Sequence, residues 1–228
     1  RLTLSWSECR KVGDEAVLEL APRLPAKLIH LELLFDCSLL TDAALVALAQ
    51  ALPAALTHFT FSSTGCEGIG SEGIAALGSK LPPSLKSLML CFSRCQHITD
   101  EGLRALATNL PPSLKDLCLA FSFCPALSDD GPGSLAQHLP AGIEKLELYF
   151  KQCTYVSDEF VMMLGQKLPT GLTHLSLDLE GCRNIGRTLP CLSSLFHAVP
   201  RNIPSLSINL NKSGCGEECS FSSAAELL

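Results

Sequence analysis

Cysteine and histidine are the residues of this sequence that could do chemistry, with 12 and 6 copies in 228 residues. Zinc binding, disulfide formation and thiol nucleophilicity are the chemistries they would support. Eight cysteines recur at near-constant spacing: Cys9, Cys37, Cys66, Cys95, Cys124, Cys153, Cys182 and Cys215. Cys91, Cys118, Cys191 and Cys219 stand outside that series. One ligand per repeat spreads ligands along a line, whereas a tetrahedral zinc site needs four converging on a point. Parallel strands would bring successive cysteines within about 5 Å, yet parallel side-chain vectors do not converge as a disulfide requires. The eight are therefore expected to point inward as buried thiols. Cys215 and Cys219, spaced C-x-x-x-C, stay open to a terminal clip, depending on the redox compartment.

His30 and His58 occupy equivalent positions in adjacent units, where they could face the same water, and His174 repeats the position four units on. No cysteine or carboxylate completes a metal site beside them, so solvated or locally bonded imidazoles are expected. No nucleophile, base and orienting group can be assembled, and Gly65 to Gly70 fits a widened turn better than a phosphate-cradling loop. No catalytic residue, metal ligand or cofactor is assigned. The expectation is a protein that is not an enzyme.

The elements that position these residues repeat. Leu-Pro occurs at Leu24, Leu52, Leu81, Leu110, Leu139 and Leu168, followed by Val199-Pro200, an interval of 28 to 31 residues. Such a period is the mark of a solenoid, because a single globular core gives each element a unique environment. Four residues after each leucine stands another aliphatic, then an alternating run such as Leu88-Met89-Leu90-Cys91-Phe92, which predicts a short strand with one face buried. The stretch TDEGLRALATNLP spaces Leu103, Leu106 and Leu110 as the stripe of an amphipathic helix. Thr41, Ser71, Thr99, Ser128 and Ser157 are expected at the helix N-caps, with Asp or Glu in the first turn opposing the helix dipole. Small residues at Ala21, Ala49, Gly78, Ala107, Ala136 and Gly165 should let neighbouring helices approach. Each proline ends its helix and returns the chain to the next strand. Gly131-Pro132-Gly133 should delay one helix to Pro132, and GRTLPCLSSLFHAVP should lengthen the next-to-last unit. Phe160, where other units carry Ala or Gly, should displace its helix or fill a gap.

Composition agrees with a buried repeat. Hydrophobic residues make up 47% and charged residues 18%, against about 25% charged in an average soluble domain. Seventeen basic against 23 acidic residues give a charge of −6, the wrong sign for holding a phosphate backbone, so no nucleic acid is expected. The most apolar stretch, Ala43 to Leu56, is broken by Gln50 and Pro53 and is shorter than the roughly 20 residues of a bilayer span. Residues 1–228 are expected to form one domain of about seven to eight repeats, the first incomplete because Arg1 opens mid-unit, and 183–228 divergent.

The unit LPPSLKSLMLCFSRCQHITDEGLRALATN resembles a leucine-rich repeat. It combines the long helix of the ribonuclease-inhibitor type with the C-x-x-I-T-D of the cysteine-containing type. The resemblance implies an α/β solenoid, a curved arc with parallel strands on the concave face and helices on the convex face. One departure is that L-x-x-L-x-L-x-F-x-x-C runs two residues longer before the cysteine than the cysteine-containing pattern, so an additional Phe layer is expected. No effector segment such as an F-box is expected ahead of the repeats. Strand residues between the buried positions should face the concave side. Leu34, Met89, Cys91, Cys118, Ala120 and Tyr149 there form an apolar stripe bordered by Glu32, Asp36, Glu147, Lys151, Asp178 and Glu180, an interface composition. Repeat proteins bind through this face, and Tyr149 is the best single anchor.

The expected function is a non-enzymatic scaffold or adaptor that binds a protein partner through the concave strands. An accessory structural subunit of a large multi-protein assembly, organellar assemblies included, is the alternative, and a regulator of an enzyme or small GTPase, implied by resemblance alone, is a third. An intracellular setting, cytoplasmic or organellar, is favoured.

Overall fold

The computed structural model describes residues 1–7, 9, 11–36, 38–187, 189–216 and 218–223. Eight parallel strands follow the sequence order: β1 Leu2–Ser5, β2 His30–Leu34, β3 His58–Ser62, β4 Ser87–Cys91, β5 Asp116–Ala120, β6 Lys145–Tyr149, β7 His174–Asp178 and β8 Ser205–Asn209. A ninth strand that the repeat pattern does not announce, β9 Ser220–Phe221, adds antiparallel to β8. The sheet is open. Between the strands lie α1 Asp14–Leu20, α2 Asp42–Ala51, α3 Ser71–Ser79, α4 Asp100–Ala107, α5 Asp130–Gln137, α6 Asp158–Lys167 and α7 Leu189–Ala198.

Register turns sequence period into packing. Leu90 pairs with Leu119 and Leu119 with Leu148, while Leu88, Leu117 and Leu146 form a second column, and all six are buried. Leu103 and Leu106 of α4 belong to the same continuous core, so the helices cover one sheet face and leave the other open. Each fully buried leucine contributes about 1.5–3 kcal/mol. Helices pack about 8–10 Å apart and strands about 4.8 Å, so a stack of these units bends with its strands inside. Gly78 shows how close the helices come, since a Cβ there would lie 2.9 Å from the Leu106 Cα.

A third inward column is aromatic, as the lengthened unit implies. Trp6 stacks on Phe35 at 4.7 Å, and Phe92, Phe121 and Phe150 follow at spacings of 5.8 and 6.1 Å. Ser63 takes the place of a Phe in this column, and Phe61 of the same unit fills the vacancy, 6.1 Å from Phe35 and 5.8 Å from Phe92. The Ser63 hydroxyl is left buried without a hydrogen-bond partner among the described residues. Ser63→Ala is therefore expected to raise stability by about 1 kcal/mol in urea denaturation. A loss of that size would show that the hydroxyl does have a partner.

The cysteine column packs beside the rings. Cys66, Cys95, Cys124, Cys153 and Cys182 are buried, and each thiol donates at 3.1–3.4 Å to the carbonyl of the aromatic-column residue one unit back. Burial pushes Cys153 up to about 11 and Cys95 and Cys182 up to about 12. Cys9 departs from the expected pattern. It is exposed, and Cys215 is half-buried. Cys37 lies outside the described residues, as does the Cys191 side chain.

Helix starts are joined between units as well as capped within them. Asp14 accepts the Thr41 N–H and hydroxyl, Asp42 the Gly70 N–H, and Asp100 the N–H and hydroxyl of Ser128. Asp129 accepts the same pair from Ser157. The first-turn carboxylates therefore do more than oppose their own helix dipole, and each ties its unit to the next. Thr41 and Ser157 cap α2 and α6 as expected, accepting from Ala43 and Glu159. Thr99 holds its position without a cap bond. Ser71 and Ser128 are shifted: Ser71 is the first residue of α3 behind Gly70, and Ser128 precedes the N-cap Asp129. Helix α5 starts at Asp130, with Pro132 inside its first turn, a delay of one residue instead of the expected three.

Candidate partner-binding surface

Strand residues of the open face form columns that run across the sheet. Met89, Cys118 and Glu147 share one, and Cys91, Ala120 and Tyr149 another. These three strands hold the contiguous apolar patch. Met89 is 42% exposed, a large apolar side chain standing in water, while Cys91, Cys118, Ala120 and Tyr149 are half-buried around it. Leu34 shares the Cys91 column but is separated from it by Ser62, so the structure does not bring it into the patch. Ser62, expected on the open face, is buried because its hydroxyl turns to the Asp36 carboxylate.

Carboxylates border the patch, each with a local partner. Tyr149 donates its hydroxyl to Glu147 at 2.8 Å, which fixes the ring against the sheet. Burial, with the Glu147 charge beside it, pushes the tyrosine up to about 12. The Cys118 thiol is likewise pushed up to about 12, first by burial and then by Glu147, so it stays protonated and is a poor nucleophile at neutral pH. Asp178 follows Tyr149 in register, and burial holds its carboxyl above the ordinary value although Asn209 and the Glu180 N–H donate to it. Lys151 donates to Glu180 at 2.6 Å, which lowers the Glu180 carboxyl and raises the lysine. At the other end, Asp36 accepts the Thr64 N–H at 3.0 Å and Glu32 the Thr3 hydroxyl at 3.1 Å. Both lie at least two strands from Met89.

The open face has one more column than the alternating leucines suggest. His30, His58, Ser87, Asp116, Lys145, His174 and Ser205 begin their strands on it. Their period of two continues one step before each leucine pair, which is the signal that would have found them. His30 and His58 stack at 4.0 Å, closer than two rings sharing one water, and loss of water and the His58 charge lower His30. His174 joins the candidate site directly, with its Nε2 3.4 Å from Glu147 and its Nδ1 2.8 Å from the Ser205 hydroxyl. Among the described residues no group of three or more His, Cys, Asp or Glu could hold a metal ion. No described helix is long and apolar enough to cross a membrane.

No family model matches the chain, and no curated protein does. Solved structures do. The protein LegL7 from Legionella pneumophila, described as leucine-rich repeat-containing, is similar over 92% of this chain and 64% of its own, at 15% identity and a TM-score of 0.51. This chain folds as a leucine-rich-repeat solenoid. The structure of yeast Rad7 in complex with Elc1 is also similar, over 85% of this chain and 60% of that one, at 17% identity and a TM-score of 0.41. The solenoid described here thus spans less than two thirds of the length of either. At these identities the likeness is one of fold, and the leucine-rich-repeat architecture is what positions the open strand face.

Proposed function

We propose that this leucine-rich-repeat chain is a non-enzymatic scaffold that binds a protein partner through its open strand face. The observation that carries the reading is Met89, 42% exposed on the first of the three adjacent strands that build the patch. A large apolar side chain in water on a sheet face is stable but unused surface unless something covers it, and such patches mark interaction sites. Tyr149 adds a rigid aromatic held by Glu147, a pre-set anchor of the kind that concentrates binding energy. The acidic border of Glu147 and Asp178, with Glu32 and Asp36 further out, favours a partner segment that carries basic residues around an apolar one.

Tyr149→Ala combined with Met89→Glu is expected to weaken partner capture at least 30-fold while circular dichroism stays unchanged. Capture at the parental level would remove the proposal. Stoichiometric co-purification with a large assembly, unaffected by the double substitution, would instead favour the accessory-subunit reading.

A further inference from the structure

The turns after β3 to β8 each carry a residue in left-handed backbone: Gly65, Arg94, Phe123, Gln152, Gly181 and Lys212, with φ between 55 and 75°. In the first five the N–H of this residue bonds a carbonyl of the next unit at 2.7–2.8 Å, so the ladder fixes the conformation whatever the side chain. Glycine takes it without steric penalty, as Gly65 and Gly181 do. Arg94, Phe123 and Gln152 take it against their Cβ atoms, and for a bulky aromatic such as Phe123 that is an outlier. Strain of this kind at consecutive positions is reason to ask what the side chains do there.

They form an exposed rim. Phe123 is 37% exposed, with the Arg94 guanidinium over its ring at 5.0 Å, and Tyr155 in the next unit is 66% exposed. The Gln152 amide lies across Gly181, whose missing Cβ makes the room. Beyond it a recess of about 450 Å³ opens between Gln152, Gly181, Arg183, Lys212, Ser213 and Gly216. Basic residues outnumber acids along this rim. The turn segments 64–69, 93–98, 122–127, 151–156, 180–185 and 211–216 carry Arg94, Lys151, Arg183 and Lys212 against Glu67 and Glu180. Glu180 is already engaged by Lys151 at 2.6 Å and Lys212 at 3.8 Å. Arg94 and Arg183 have no carboxylate partner among the described residues.

We propose that this rim is a second docking surface, independent of the open strand face, for an acidic protein segment that carries an aromatic side chain. A guanidinium held over an aromatic ring still has N–H groups to offer a carboxylate, and the strained Phe123 places that pair outward. Tyr155 offers apolar area beside it, and Arg183 with Lys212 supplies charge in the recess for a further carboxylate. The strand face has the opposite sign, so the two surfaces select different segments.

The test is a display selection of random 12-residue peptides on the immobilised chain, followed by fluorescence polarisation of the enriched peptides. The expected peptides are net acidic and contain an aromatic residue. Arg94→Glu with Arg183→Glu should weaken them at least 30-fold, and Phe123→Asn about tenfold. Asn tolerates left-handed backbone, so that second variant keeps the fold, which circular dichroism checks. Met89→Glu should leave the affinity within twofold. The proposal is overturned if no net-acidic peptide is enriched, or if the acidic peptides bind both rim variants as tightly as the parent. It is overturned equally if binding is lost in Met89→Glu, or if the surface proves to be a contact between two copies of the chain, seen as self-association that the double rim variant abolishes.

Discussion

Phe160→Ala should lower folding stability by about 3–5 kcal/mol, although it restores the small residue that most other units carry at this position. Ala44, Gly73, Gly102 and Gly131 occupy the equivalent place because the preceding helix start leaves no room: a Cβ on Gly102 would lie 2.9 Å from the Ser71 Cα, and one on Gly131 2.7 Å from Asp100 Oδ1. Unit six differs because its neighbour does. Helix α5 begins one residue late, so Asp129 serves as N-cap with φ −76° and ψ −22°, where Thr41, Thr99 and Ser157 are extended. The space this opens is filled by the Phe160 ring, fully buried and edge-on to Phe150 at 5.5 Å. Truncation leaves a cavity at the junction of two units, and in a solenoid such an interface couples the two halves of the stack. Urea denaturation measures the loss. A change below about 1 kcal/mol would mean that the site collapses around alanine.

The second large effect is expected at Asp100→Ala. This carboxylate accepts three hydrogen bonds from the next unit: the Ser128 N–H at 3.0 Å, the Ser128 hydroxyl at 2.7 Å and the Gly131 N–H at 3.0 Å. The N-cap of α5, Asp129, makes no cap bond of its own, so Asp100 stands in for it from a neighbouring unit. Charge-assisted bonds of this kind are stronger than neutral ones, and removal strands part-buried N–H groups. A loss of about 2–4 kcal/mol is expected, with faster amide exchange concentrated in α5. Asp100→Asn, which keeps one accepting oxygen, should lose less than the alanine variant. Equal losses would show that the side chain acts through space filling instead.

What the sequence made legible follows from what repeats. Leucine columns, helix stripes and closing prolines each recur at the period of the unit, and so does the Phe column. A feature expressed many times can be read from one chain. Departures that occur once were harder. The Ser63 vacancy and its repair by Phe61 involve side chains of two adjacent columns, and spacing alone does not say that one ring will swing into another's place. Ser71 and Ser128 were misplaced by one residue because a hydroxyl before an acidic turn fits either side of a helix start. The aspartate ties between units join residues about 28 apart, so no local pattern reports them. β9 is two residues long, too short for a period of two to show.

For the candidate surface, register decided what composition could not. Met89, Cys91, Cys118, Ala120 and Tyr149 fall together because three strands align, whereas Leu34 is cut off by Ser62. His174 reaches Glu147 because the open face begins one position earlier in each strand than the leucine alternation implies. The rim was not legible at all. Nothing in the letters Arg94, Phe123 and Gln152 says that their backbone is left-handed, since glycine marks that conformation at only two of the five turns before Lys212.

The most direct test of partner binding through the open strand face is side-chain oxidation by hydroxyl radicals, with and without the bound partner. Met89, exposed and readily oxidised, should be the most strongly protected methionine in the complex, with Tyr149 protected beside it. Protection confined to Leu18 and other outward helix positions, with Met89 oxidised at the same rate in both states, would contradict it.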